Sequence, residues 1–267
     1  MAEYVNIHTH RPAGRGIELR AKGVHPWDAE REDTATLGQR LGDAQAVGET
    51  GLDFACGVAR EAQTAALRAQ LRLARERGLP VVLHCVRAFE PLMRELAACP
   101  PPAAIFHGFI GSPEQARQAV AKGYYLSFGE RTFASRKTLE ALREVPSDRL
   151  FFETDDSPAA IETIYARAAE VRRTTVEELR RATAENYRRL FGGREVKGGG
   201  AVPALRSGGR TTDGAQEGHD GNERKRTAWT TGWRGPSCCS AKRNSAASDG
   251  RTCSWWGWEA WGPTPRR

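Results

Sequence analysis

No stretch of this 267-residue chain is long and apolar enough to span a bilayer, and its first residues lack the basic region followed by an apolar one that marks a secretory leader. A soluble, cytoplasmic protein without a membrane partner is therefore expected. Cysteine pairs at metal or redox spacing are missing as well, because Cys56, Cys85, Cys99, Cys238, Cys239 and Cys253 never form C-x-x-C. Neither a zinc ribbon nor a disulfide scaffold is indicated, and the six thiols read as ordinary reduced side chains. The chain is long enough to bury a sizeable core.

A charge excess is also missing from most of the chain. The formal net charge is +7, but residues 194–267 hold 13 Lys and Arg against 7 Asp and Glu, which leaves 27 against 26 for residues 1–193. The body is nearly neutral, so bulk charge gives no argument for nucleic-acid binding there.

What the body does contain is alternation. Up to about Gly193, short β-branched runs take turns with Ala/Leu/Arg/Glu-rich segments, the pattern of repeated βα units around a parallel sheet. Eight strands are predicted, at Val5–Ile7, Ile17–Leu19, Ala21–Val24, Ala46–Gly48, Val81–Leu83, Ala104–Phe106, Tyr124–Ser127 and Leu150–Phe152. Eight is the number of a TIM-type (β/α) barrel. The second and third are almost contiguous, with no room for a crossover of normal length, so the barrel is expected to be compact or partly abbreviated.

Helical period places Leu67, Leu71 and Ala74 on one face of a helix at 62–77, with Gly78 as its stop. In the last helix Thr175 and Glu178 form a capping box, and Leu179, Ala182, Tyr187, Leu190 and Phe191 supply the apolar side. The predicted organisation is thus a barrel over residues 1–193 and a low-complexity, disordered extension over 194–267. That extension holds six of the seven Trp residues, interleaved with Arg. It reads either as a nucleic-acid contact, by stacking and charge neutralisation, or as an extension without function.

The chemistry-bearing residues fall at strand ends. His8 and His10 follow the first predicted strand, His25 the third, Glu49 ends the fourth, His84 the fifth, His107 the sixth, and Asp155 follows the eighth. In a β/α barrel these carboxyl ends converge on one mouth, where catalytic residues sit. The period-two alternation of His8-Thr9-His10 points both rings the same way, which suits two imidazoles on one cation. The two oxygens of Glu49 suit a bridge between two cations, and Asp155 suits a metal ligand that also accepts a proton. Imidazoles mixed with carboxylates fit zinc, manganese or iron better than an all-oxygen magnesium shell, without fixing the metal. Arg87 and Arg131, just after strand ends, are candidates for phosphate contact.

In order, His8-Thr9-His10, Gly23-Val24-His25-Pro26, Gly48-Glu49-Thr50-Gly51-Leu52-Asp53, Leu83-His84-Cys85, His107-Gly108-Phe109-Ile110-Gly111, Tyr124 to Gly129, Glu153-Thr154-Asp155 and Glu185 to Gly192 resemble the motifs of the TatD-type metal-dependent deoxyribonucleases. The resemblance runs from residue 5 to 192. It implies a barrel of the amidohydrolase-like superfamily that uses two divalent metal ions, Mg, Mn or Zn, to hydrolyse DNA, with single-stranded or frayed ends as substrate. It also implies that His8, His10 and Asp155 hold one metal, that Glu49 bridges, and that His84 and His107 hold the second. Asp155 and Glu49 would then be catalytic and His25 a substrate contact. The stretch from Arg11 to Val24 is shorter than in that family, so part of the substrate-lining loop is expected to be missing. A monomer is expected.

Two other functions compete. The same architecture serves hydrolysis of amides, lactones and phosphotriesters. Glu49 stands where the class with a carboxylated lysine would place Lys, which favours phosphodiesters. The other alternative is a catalytically impaired nucleic-acid binder that works through its tail.

Overall fold

A computed structural model describes residues 2–192. The extension from Arg194 onward, with its expected disorder and its Arg and Trp residues, lies outside the described residues.

The strands are β1 (Val5–Asn6), β2 (Ile17–Glu18), β3 (Ala21–Lys22), β4 (Ala46–Asp53), β5 (Val81–Val86), β6 (Ala104–Phe106), β7 (Tyr125–Phe128) and β8 (Leu150–Phe152). All pairings are parallel. β3 to β8 follow one another in sequence order, and β1 pairs with β2. The ring continues from β8 to β1, where Ile7 N donates to Phe152 O at 3.0 Å and Thr9 bridges to Asp155. Around the strands lie α1 (Leu37–Arg40), α2 (Arg60–Arg77), α3 (Phe89–Ala98), α4 (Pro113–Ala121), α5 (Arg136–Glu144), α6 (Ile161–Arg172) and α7 (Val176–Phe191). This is a TIM-type barrel.

The eight expected strands are found, but two of them share one stave. β2 pairs with β1 and β3 pairs with β4, while only Leu19 and Arg20 separate them. Those two residues carry the bonding across, since Leu19 N reaches Asn6 O and Gln45 N reaches Arg20 O. Two residues cannot hold a crossover, which needs a dozen or more, so residues 17–22 run as one stave between β1 and β4. The abbreviation expected from the near contiguity of the second and third predicted strands takes this form.

The helices form where their caps and periods say they should. Gly78 takes φ 62 at the C-terminus of α2, and Leu67, Leu71 and Ala74 are fully buried against the strands. Both α4 (Ser112 with Gln115) and α7 (Thr175 with Glu178) begin on complete capping boxes. α7 lies against β1 and β8, where Asn186 Nδ2 donates to the carbonyls of Ser147 and Leu150.

Strand alternation then aims the site. Val82, Ile105 and Phe151 belong to one apolar cluster, whereas their neighbours Val81, Leu83, Phe106 and Phe152 belong to another. Two residues beyond each of the first three, on the same face, stand His84, His107 and Glu153.

Candidate metal centre

Glu49 is the centre of the site. β4 carries a register irregularity between Val47 and Thr50, which turns Glu49 out of the regular ladder. The glycines on either side make this backbone possible. Gly51 has φ 147, and a Cβ there would lie 1.9 Å from the carbonyl oxygen of His84. Only glycine lets β4 and β5 approach this closely at the point where both deliver a site residue.

The two oxygens of Glu49 face different imidazoles. Oε1 lies 2.7 Å from His8 Nε2 and 3.0 Å from His10 Nε2, and Asp155 Oδ1 stands 3.6 and 3.5 Å from the same two nitrogens. Oε2 lies 2.9 Å from His107 Nε2 and 3.4 Å from both His84 Nδ1 and His25 Nε2. All seven residues singled out from the sequence are thus brought together. The cluster opens onto a cavity of about 920 Å³ lined by His84, His107 and Asp155 as well as Arg87 and Arg131, and Arg131 is held by Asp156 at 3.3 Å.

The segments that follow β1 and β8 are joined at the residues that matter. His10 N donates to Asp155 O at 2.9 Å, and Asp155 N donates to His8 O at 3.1 Å. Asp155 has φ 55, a left-handed conformation that aspartate tolerates better than most residues. Behind this seam Asn6 pairs with Thr154 through two bonds, and Thr154 Oγ1 donates to Thr9 Oγ1.

Three residues with roles here went unassigned in the sequence. Asp53 accepts a 2.7 Å bond from Trp27 Nε1 and places Oδ2 3.4 Å from His84 Nε2. Glu153 is 0% exposed, accepts the Gly108 N–H at 2.6 Å and places the same oxygen 3.4 Å from His107 Nδ1. Trp27 packs edge-on against His25, with ring centroids 4.8 Å apart. The first two had a signal in the sequence: Asp53 shares the Glu49 side of an extended strand, and Glu153 shares that of Asp155.

The electrostatics follow from this crowding. Burial pushes the Glu49 carboxyl up, but His107, His25, His8 and His84 together hold it far below the usual carboxylate range. Glu153 is likewise raised by burial and more than offset by His107, so it stays ionised. Burial opposes charge on His107, yet Glu153 and Glu49 raise its pKa to about 10. Asp155 is raised, first by its own burial and then by the nearby Glu153 charge.

The donor set fits divalent cations. His8 Nε2 is buried 2.7 Å from Glu49 Oε1 without a partner in hydrogen-bond alignment, a polar atom that a cation could satisfy. His8, His10, Glu49 and Asp155 bring ligand atoms within 4.8 Å of one another, as do His25, Glu49 and His84, and also His107, Glu153 and Asp155. His84 and His107 each turn the second ring nitrogen to a carboxylate, the arrangement that fixes a ligating imidazole.

Residues 18–192 match the family model described as TatD related DNase. The chain is 42% identical over 147 residues to the 3'-5' ssDNA/RNA exonuclease TatD of Cronobacter sakazakii, covering 50% of this chain and 55% of that one. To the uncharacterized metal-dependent hydrolase YabD of Bacillus subtilis it is 33% identical over 194 residues, 64% of this chain and 76% of that one. Among solved structures it resembles the TatD homolog YJJV of Escherichia coli, with TM-score 0.60, 31% identity and coverage of 66% and 77%. A hydrolase of the TatD family from Entamoeba histolytica, at 17% identity and TM-score 0.58, shares the fold. The chain spans about half the length of the Cronobacter exonuclease.

Proposed function

The chain belongs to the TatD-related DNase family, and from that premise we propose that it is a divalent-metal-dependent phosphodiesterase acting on single-stranded DNA. One observation carries this reading: the two oxygens of Glu49 face two separate sets of imidazoles, His8 with His10 and His84 with His107. A carboxylate so placed suits a bridge between two cations. His8, His10 and Asp155 would hold one, and His84 and His107 the other. Magnesium, manganese and zinc are the candidate ions, and the imidazole-rich set favours manganese or zinc. Bound there, they would acidify a water and offset charge on the phosphate oxygens.

The chain's own residues supply the rest. Asp155, its carboxyl raised first by burial, would take the proton of the attacking water. Asp53 and Glu153 engage the outer nitrogens of His84 and His107, so that with a cation in place of the ring proton His84 Nδ1 and His107 Nε2 would offer it their lone pairs.

His25 differs from the other imidazoles. Its Nδ1 accepts the Trp27 N–H at 3.2 Å, so in the neutral ring Nε2 carries the proton. That nitrogen is a donor facing the centre. It suits a phosphate oxygen better than a cation, which is the role of His25 as a substrate contact.

Among the described residues no helix is long and apolar enough to cross a membrane. Action as a cytoplasmic monomer is part of this proposal. So is the division of the chain into a barrel over 1–193 and an extension over 194–267 that turnover does not need.

The test is digestion of single-stranded DNA by the purified chain with manganese and with chelator, beside a panel of an amide, a lactone and a phosphotriester. Manganese-dependent loss of DNA supports the reading. Turnover confined to the small-molecule panel would move the site to another bond.

A further inference from the structure

Among the described residues, the large apolar side chains left exposed are Trp27, at 46%, and Ile110, also at 46%. Scattered exposed apolar residues are ordinary and call for no explanation. Trp27 is not scattered. Its ring centroid lies 4.8 Å from that of His25 and 6.2 Å from that of His84, so the indole stands beside the cation centre.

It is also fixed. Nε1 donates to Asp53 Oδ2 at 2.7 Å, the backbone N–H donates to His25 Nδ1 at 3.2 Å, and the short turn Pro26–Asp28 that carries it begins on buried Pro26. Both aromatic contacts within the site are steep, with interplanar angles of 84° to His25 and 72° to His84, so neither imidazole lies flat on the indole. A ring held in place and 46% exposed gives stacking area at little entropic cost.

From this geometry we infer that Trp27 is the stacking platform for a nucleobase of a single-stranded substrate, next to the phosphate held at His25 and Glu49. The inference rests on the phosphodiesterase reading and adds a specificity-determining residue to it. Stacking on an indole suits every base, because every base has a π-face, and it requires a base free of its duplex partner. Trp27 would therefore favour single strands without favouring a sequence.

A rival role is structural. Through Asp53, Trp27 touches the residue that orients His84, so its loss could act on the metal side alone. Two substitutions separate these roles, since Trp27→Phe and Trp27→Ala both remove Nε1 but only Trp27→Ala removes the ring.

The experiment measures KM for manganese-dependent cleavage of oligothymidylate and of an abasic oligomer of equal length, using the full chain and both variants. Within one protein the ratio of the two KM values does not depend on the fraction folded. The wild type is expected to show a KM for oligothymidylate about tenfold lower, equivalent to ~1.4 kcal/mol and within the range of a base–aromatic stack. Trp27→Phe retains most of that ratio, and Trp27→Ala brings it to about one. A ratio preserved in Trp27→Ala, or lost equally in both variants, overturns the inference and leaves the phosphodiesterase reading standing. Absence of turnover on both oligomers by the wild type overturns that reading and the inference with it.

Discussion

Glu153 places one carboxylate oxygen 3.4 Å from His107 Nδ1 while the same oxygen accepts the Gly108 N–H at 2.6 Å. The bond to Gly108 fixes the carboxylate, and the carboxylate fixes the ring. Outer carboxylates of this kind are typically worth 10–100-fold in metal affinity. Glu153→Gln is expected to weaken manganese binding by about that factor, on the order of 10–100-fold. Calorimetric titration of the metal-free proteins checks it, and unchanged affinity would remove Glu153 from the account.

His25 and His84 lie equally far from Glu49 Oε2 but differ in which nitrogen is engaged. His25→Ala is therefore expected to raise KM for DNA while keeping the metal content, whereas His84→Ala loses metal. Elemental analysis alongside steady-state kinetics distinguishes them. Metal lost equally from both would make His25 a ligand.

β1 leads directly into His8 and His10 and has only a short connection to the next stave, so its anchoring matters. Tyr165, fully buried, donates its hydroxyl to Val5 O at 2.9 Å and lies 3.2 Å from Val5 N. Tyr165→Phe leaves the Val5 carbonyl buried without that donor, at a cost of about 1–3 kcal/mol. Urea unfolding of the two proteins measures the difference. A change below about 0.5 kcal/mol, the range of surface substitutions, would contradict the anchoring role.

The start of α7 gives a pH prediction. Hydrogen bonds from Thr174 and from the backbone and hydroxyl of Thr175 lower the Glu178 carboxyl to about 2. A depressed carboxylate contributes stability above its unfolded value, near 4.3, and loses it as pH falls through the folded value. Wild type should exceed Glu178→Gln in stability at pH 6, and the two should converge towards pH 2. Urea unfolding across that pH series, with chelator throughout, tests this. A constant difference would mean that the charge of Glu178 plays no part.

Much of this was legible in the sequence because strand ends and barrel geometry are local signals with a common direction. Their positions at the carboxyl ends of β-branched runs were enough to place His8, His10, His84 and His107 at one mouth. The merger of β2 and β3 showed as missing crossover length, but which neighbour each half pairs with is a tertiary fact that the pattern of residues 17–22 does not carry. Asp53 and Glu153 went unassigned because a carboxylate that orients a histidine looks, in one dimension, like any other acid near a motif. Trp27 was passed over for a similar reason. Its significance lies in exposure and in its distance to His84, and neither can be read along a chain.

The central claim is that Glu49 joins two cation positions. It is tested most directly by metal content per chain after manganese loading and removal of excess, compared between wild type and Glu49→Ala. The account predicts about two bound ions for the wild type and a clear loss in Glu49→Ala, together with a fall in DNA turnover on the order of 10³-fold, as expected when several kcal/mol of transition-state stabilisation is removed. Equal metal content and equal turnover in the two proteins would contradict it.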